Sequence, residues 1–233
     1  MIENEEMNYA PMLSFLGDCY YMGRGVSEHN HEAFRLYSLA ADQEDPSGLY
    51  GKGMCTKYGY GTPKSITAGD EMIAEAVEKM IETVEEQIDP YIQARMYFNI
   101  GHSYFGANGV ERDLDIALNY LEKAAELGSS RAAEYAGNLY YNIYSDLPSP
   151  VHDKTKALSY YEQAALGGER NPMFMAGYMY YIGSGTDVDY EKAVFYLQMA
   201  KDAGDSNAVR YLGDAQKALA EQQAKAEETN ATG

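Results

Sequence analysis

The sequence predicts an all-α solenoid built from repeated helix pairs, and three observations predict it. A glycine and tyrosine motif returns along the chain, its spacing is nearly constant, and polar residues stand at fixed offsets from it. The motif appears first as LGDCYYMGRGV from Leu16, then as KGMCTKYGYGT from Lys52, IGHSYFGANGV from Ile100 and AGYMYYIGSGT from Ala176. Its opening glycines, Gly17, Gly53, Gly101, Gly137, Gly177 and Gly213, are 36, 48, 36, 40 and 36 residues apart. The alanines Ala40, Ala76, Ala124, Ala164 and Ala200 follow their glycines by 23 residues, or by 27 after Gly137. The unit is therefore 36 residues long, with one 12-residue and one 4-residue insertion. A fixed period of this length marks a repeat architecture rather than one binding loop.

Each unit reads as two helices. In the first, residues such as Ala176, Gly177 and Tyr180 share one face at i, i+1 and i+4. A mid-helix glycine costs roughly 1 kcal/mol of propensity against alanine, so a recurring one points to close packing. The Gly-x-Gly that follows, as at Gly23 and Gly25, Gly59 and Gly61 or Gly183 and Gly185, ends the helix in a turn. The second helix is headed by a small residue, Ala33, Gly69, Ala117, Ala157 or Ala193. Four residues earlier stand His29, Ser65, Asp113, Asp153 and Asp189, expected to be N-caps.

The order Leu-Gly-x-x-Tyr-Tyr-x-Gly-x-Gly-Val, then Asp-x-x-Lys-Ala-x-x-Tyr-Tyr-x-x-Ala-Ala-x-x-Gly, resembles the Sel1-like repeat, a relative of the tetratricopeptide repeat. The resemblance spans about residues 10–215 and departs from the pattern at Lys52 and Thr56, and at Asn142 to Pro150 in place of a Gly-x-Gly. It implies a right-handed α-solenoid of antiparallel helix pairs that serves as a protein-binding scaffold. The expected organisation is one array over 1–226, with repeats at about 12–45, 48–90, 91–130, 132–170 and 172–205, a capping helix at 207–226 and a disordered tail at 227–233.

Composition sets the partner class. Eighteen basic against 36 acidic residues give a net charge of −18, which disfavours nucleic acid and favours a basic protein or peptide partner. No long apolar run or signal peptide is visible, so a cytoplasmic protein without membrane contact, acting as a monomer, is expected. Cys19 and Cys55 occupy one repeat position on neighbouring first helices, typically ~8–10 Å apart, beyond the ~7 Å reach of a disulfide. Both are expected as free thiols.

No cofactor and no catalytic constellation are expected. His29 and His31 stand where other units carry caps, and lack the cysteines of a structural zinc site. No phosphate-binding Gly-x-x-x-x-Gly-Lys, Ser-x-x-Lys or nucleophile elbow occurs. The function expected is a non-catalytic scaffold or adaptor. The alternatives are an inhibitor or immunity protein for a cognate toxin, and a hydrolase of the β-lactam-interacting kind known among Sel1-like proteins, for which no serine or acid/base pair is visible.

A partner is expected in a groove lined by the first helices, at the positions three before, one after and four after each anchor glycine. The residues assigned to it are Tyr21, Tyr50, Met54, Phe98, His102, Phe105, Asn138, Tyr141, Phe174, Tyr178 and Tyr181. Aromatic rings there would bury area at little entropic cost. The 12-residue insertion between Ala76 and Gly101 should lengthen both helices of its hairpin, because Ala76, Val77, Met80, Ile81, Val84 and Ile88 continue the apolar stripe to Asp89-Pro90. Its acidic side, Glu75 to Glu86, favours a protruding spur that docks a partner over one that covers a neighbouring groove.

Overall fold

The computed structural model describes residues 9–143 and 152–232, which form helices and no strand. The chain divides into two units, residues 1–128 and 129–233. The first holds α1 (Ala10–Met22), α2 (Asn30–Ala41), α3 (Pro46–Tyr58), α4 (Ile66–Thr83), α5 (Pro90–Gly106) and α6 (Leu114–Glu126). The second holds α7 (Ser130–Tyr141), α8 (Lys154–Leu166), α9 (Arg170–Ile182), α10 (Tyr190–Asp202) and α11 (Ser206–Thr232). Within the units α1 packs on α2, α3 on α4, α5 on α6, α7 on α8 and α9 on α10.

Every second helix starts on the cap that the repeat spacing marks. Ser65, Asp113, Asp153 and Asp189 accept from the backbone N–H three residues on, and His29 does the same through Nδ1. A helix leaves its first N–H groups unpaired, and a side-chain acceptor satisfies one of them. Asp45, Asp89 and Ser129 cap the first helices α3, α5 and α7 in the same way. First helices end in left-handed residues: Gly23, Gly59 and Gly183, with Ala107 and Asn142 standing in elsewhere. The rest of the segment that replaces the fourth Gly-x-Gly, residues 144–151, lies outside the described residues.

The anchor glycines face the second helix of their own repeat. A Cβ on Gly177 would stand 2.7 Å from Leu197 Cγ and 2.9 Å from Leu197 N. On Gly53 it would meet Ile73 Cγ1 at 2.8 Å and Gly69 O at 3.0 Å, and on Gly101 it would meet Leu121 Cγ at 2.9 Å and Ala117 O at 3.0 Å. Gly17 and Gly137 instead lie under the rings of Tyr37 and Tyr161. The small residues that head the second helices, Gly69, Ala117, Ala157 and Ala193, present their carbonyls at these contacts, and the three alanines are fully buried. Small residues on both sides let two backbones approach until main chain touches side chain.

The second glycine of the turn joins one repeat to the next. A Cβ on Gly61 would run into Asn30 O and His31 Cα of α2, on Gly109 into Asp70 O and Ala74 N of α4, and on Gly185 into Lys154 O of α8. Polar bonds reinforce these joints. His31 Nδ1 donates to Gly61 O at 2.9 Å, Thr155 Oγ1 donates to Gly185 O at 2.9 Å, and Gly109 N donates to Asp70 Oδ1 at 3.0 Å.

The inserted hairpin is longer on both sides, with 18 residues in α4 and 17 in α5, and a 3-10 turn at Val84–Glu86 between them. It does not stand free of unit 1. Arg95, on the first turns of α5, reaches α1, donating to Ser14 Oγ at 2.6 Å and Pro11 O at 3.4 Å. Tyr91 meets Phe15 edge-on at 5.5 Å between ring centroids. A cavity of about 390 Å³ lies below, lined in part by Tyr9, Pro11, Asp45, Thr83 and Ile92. The base of the insertion therefore contacts α1, while at its tip Ile88 is 96 % exposed.

Helix α11 also differs from the expected cap, continuing to Thr232 through the stretch read as a tail. Residues 215–228 contain no glycine or proline and are rich in strong helix formers. Leu219, Gln222 and Ala226 face the Thr186–Tyr190 turn across a cavity of about 450 Å³.

One repeat position should respond oppositely at two sites. Gly177→Ala forces a Cβ onto backbone and should cost about 1–3 kcal/mol. At Gly213 a Cβ meets nothing within 4 Å, so Gly213→Ala should stabilise by about 0.5–1 kcal/mol through helix propensity. Urea unfolding of both variants measures the signs. His29→Asp replaces a neutral acceptor with an anionic one at a helix N-terminus, and should raise stability by about 0.3–1 kcal/mol at neutral pH in the same assay.

Candidate protein-binding site

In unit 2 the first helices bring four rings together. Phe174, Tyr178 and Tyr181 lie at i, i+4 and i+7 on α9, and Tyr211 reaches them from α11. Centroid distances to Tyr211 are 5.6 Å from Phe174, 5.0 Å from Tyr178 and 6.2 Å from Tyr181, each edge-on. Phe174 and Tyr178 stack at 6.0 Å. All four rings are half-buried, so each keeps a surface open to solvent. The guanidinium of Arg210 stands 5.8 Å from the Tyr211 centroid. Tyr211 was not among the expected residues, because it sits two before its glycine, outside the assumed offsets. Its signal was the single aromatic residue of the α11 stretch.

Helix α9 is held in place by a polar network on another face. Tyr180 donates to Glu162 Oε1 at 2.7 Å, Tyr196 donates to the same oxygen at 3.2 Å, and Lys192 donates to the Tyr180 hydroxyl at 2.9 Å. The Tyr180 and Tyr196 rings stack at 6.0 Å, and the Lys192 ammonium lies 4.7 Å from the Tyr180 centroid. Burial, then the Glu162 carboxylate, pushes the Tyr196 hydroxyl well above its ordinary range. It stays protonated and donates throughout the physiological range.

Asn138 and Tyr141 turn toward α8 instead. Asn138 accepts from the fully buried Tyr161 hydroxyl at 2.9 Å, and the Tyr141 ring lies 6.2 Å from Tyr161. On α7 the neighbouring Glu134 is held by Asn171 at 3.4 Å. Burial, and next the Glu169 carboxylate, push its carboxyl up. A raised folded-state value means that the ionised form costs stability, a cost relieved as pH falls through that value.

In unit 1 the expected residues pack mainly on one another. Tyr50 and Phe98 are buried. The Tyr50 hydroxyl lies 2.8 Å from His102 Nδ1, and Phe98 stacks on the His102 ring at 5.6 Å. Tyr21 lies 5.7 Å from Tyr60, while Met54 and Phe105 are half-buried. Lys57, assigned to the same face by its offset, is drawn into the turn between repeats, donating to Asp70 Oδ1 at 2.8 Å and Asn108 Oδ1 at 2.9 Å.

Arg95 is the residue that sequence reasoning missed here. Its guanidinium lies 3.6 Å from Asp18 and 3.8 Å from Asp45, with little of its side chain exposed. It links α1, α3 and α5 and fills the space between their faces. Nothing in the repeat pattern marks it, because the position six before the anchor glycine varies, with Pro11, Ser47, Arg131 and Asn171 in the other first helices.

The histidine pair is committed to structure, His29 as a cap and His31 to Gly61 O. Among the described residues no cluster of three or more histidine, cysteine, aspartate or glutamate side chains could hold a metal. Cys19 and Cys55 are both free, and burial followed by the Asp18 charge pushes the Cys55 thiol up to about 12. It is protonated and inert at neutral pH. Among the described residues, no helix is long and apolar enough to cross a membrane.

Two outcomes are expected from these contacts. Arg95→Ala leaves the buried Asp45 carboxylate without its cation and should cost about 3 kcal/mol in urea unfolding. Glu134→Gln should raise the melting temperature at neutral pH, with the difference shrinking as the pH is lowered.

Comparison with known proteins places these features in a family. The Sel1 repeat matches at residues 10–45, 94–129, 130–169 and 173–205, more than half of the chain. The crystal structure of a Sel1 repeat protein from Oxalobacter formigenes superposes with a TM-score of 0.62 at 26 % identity, covering 91 % of this chain and 80 % of that one. Chitin synthase regulatory factor 4 of Schizosaccharomyces pombe is 26 % identical over 196 residues, 81 % of this chain and 30 % of that protein. The ERAD-associated E3 ubiquitin-protein ligase component HRD3 of Candida glabrata is 34 % identical over 85 residues, 36 % of this chain and 9 % of that protein. The chain thus spans less than a third of either curated relative. With the repeat matched over most of its helix pairs, this chain belongs to the Sel1 repeat family.

Proposed function

We propose that the protein is a non-catalytic interaction module, which holds an extended or helical segment of a basic protein partner against the rings of Phe174, Tyr178, Tyr181 and Tyr211. The observation that carries this reading is the convergence of those four half-buried rings from two helices, all within 6.2 Å of Tyr211. Rings held edge-on present a rigid apolar surface, so a bound side chain gains contact area while the site loses little freedom. The net charge of −18 steers a basic segment toward it. Membership of the family supports the same class, since Sel1 repeats generally serve as protein-interaction scaffolds. Tyr50 and Phe98 are buried within unit 1, and Tyr21, Met54, His102, Phe105, Asn138 and Tyr141 lie on the first helices of their own units. We read residues 1–226 as one array acting in a reducing, cytoplasmic compartment, in keeping with its two free thiols.

The test is a quantitative pull-down from the source cell with the wild type, Tyr178→Ala and Tyr211→Ala, alongside thermal melts. Loss of one basic protein partner from both variants, with melting temperatures within a few degrees of wild type, is the expected result. If both variants unfold, the rings belong to the core. If the partner is retained by folded variants, binding lies elsewhere.

A further inference from the structure

The ring cluster of unit 2 has flanks of opposite charge. The position three before the anchor glycine holds Phe174 on α9, Glu134 on α7 and Arg210 on α11. Helix α7 is joined to α9 at this level, where Asn171 Nδ2 donates to Glu134 Oε1 at 3.4 Å and Ser130 Oγ donates to Glu169 Oε1 at 2.9 Å. Helix α11 meets α9 through Tyr211 and Phe174. A partner lying on the rings therefore finds a carboxylate on the α7 side and a guanidinium on the α11 side.

Glu134 is poorly served by the protein itself. A carboxylate offers about four lone-pair sites, and the Asn171 amide reaches one oxygen at the limit of hydrogen-bond distance. Burial, and next the Glu169 carboxylate, push the Glu134 carboxyl up against the weaker pull of Asn171 and Arg131. The ionised side chain thus costs the free protein stability at neutral pH, and an arriving cation offsets that cost. An ionisable group kept on such terms beside an open apolar surface is characteristic of a binding position.

We propose that Glu134 is a specificity residue of this surface and seats an arginine of an extended partner segment, three residues from the apolar side chain that rests on the four rings. This rests on the reading of the rings as the binding surface, and adds the residue that selects among basic segments. A guanidinium suits the place better than an ammonium. It is less strongly hydrated, so it loses less on entering a half-buried site, and its planar fork bonds both carboxylate oxygens. The spacing follows from the helices. Neighbouring first helices stand ~8–10 Å apart, and a polyproline-like extended segment returns to one face every three residues, about 9.3 Å on. Arg210 decides which flank takes the arginine. Its guanidinium borders the rings on the far side, 5.8 Å from the Tyr211 centroid, and repels a second cation there, so the arginine of the segment lies over α7.

The experiment titrates the full chain with labelled, end-blocked peptides built on the core Arg-Ala-Pro-Leu-Ala-Pro, read by fluorescence anisotropy, with melts of every variant in parallel. Comparison peptides replace the arginine by lysine or by glutamine. Saturable binding of the arginine peptide is expected, weaker for lysine and about tenfold weaker for glutamine. Glu134→Gln should lower the affinity for the arginine peptide about tenfold and leave that for the glutamine peptide unchanged, whereas Arg210→Gln should strengthen arginine-peptide binding modestly. A melting temperature of Glu134→Gln at or above wild type separates its loss of binding from unfolding. The two readings fail differently. Binding of the arginine peptide that Tyr178→Ala removes and Glu134→Gln does not leaves the ring surface standing and overturns the role of Glu134. Equal losses for the arginine and glutamine peptides in Glu134→Gln overturn it too, since no pairing with arginine is then involved. A loss confined to Arg210→Gln places the segment the other way round and overturns it, as does the absence of saturable binding by the arginine peptide. Binding that Tyr178→Ala leaves intact overturns the ring reading, and this inference with it.

Discussion

The close approach of two backbones at each anchor glycine is the constraint on which the rest of the structure depends. A Cβ on Gly53, Gly101 or Gly177 would touch main-chain atoms of the facing helix, so the spacing within a pair is set by the absence of a side chain. Backbone contact is stiff, and a rigid pair presents its remaining faces at fixed angles. The glycine costs helix propensity, offset by the apolar surface that the close contact removes from water. Gly213 retains the residue without the contact, which separates the inherited pattern from the physical need.

The second turn glycine propagates that order from one repeat to the next. Its positive φ reverses the chain, and its lack of a side chain lets the backbone of the previous second helix rest on it. Two demands thus converge on one residue. The polar bonds at these joints, such as His31 to Gly61 and Thr155 to Gly185, fix the register along the contact rather than supply most of its energy. With pairs and joints fixed, the positions three before, one after and four after Gly177 emerge on a common face. That is how Phe174, Tyr178 and Tyr181 come to meet Tyr211.

The insertion shows how a departure from the period acquires its own chemistry. It lengthens α4 and α5 by continuing their apolar stripe, and the added turn of α5 brings Tyr91 against Phe15, while Arg95, in the regular part of the same helix, reaches Asp18 and Asp45. A cation enclosed by helices needs counter-charges close by, and two carboxylates from different repeats supply them. Helix α5 is thereby fastened to α1, the first helix two repeats before it.

The sequence by itself determined the helices, their pairing and their caps. These depend on local spacing: an acceptor four residues before a small residue, a glycine 23 residues before an alanine, and Asp89-Pro90 at the start of α5. Each signal acts within a few turns of helix and survives in one dimension. Which faces stay open was decided only by the tertiary structure. Tyr50 and Phe98 share the offsets of Phe174 but are buried in unit 1, because α5 closes on α1 and α3 there. Lys57 shares the offset of Tyr181 but is drawn away by Asp70 and Asn108. Burial at a given repeat position depends on what the neighbouring repeats bring to it. That information lies tens of residues away, and folding alone brings it into contact.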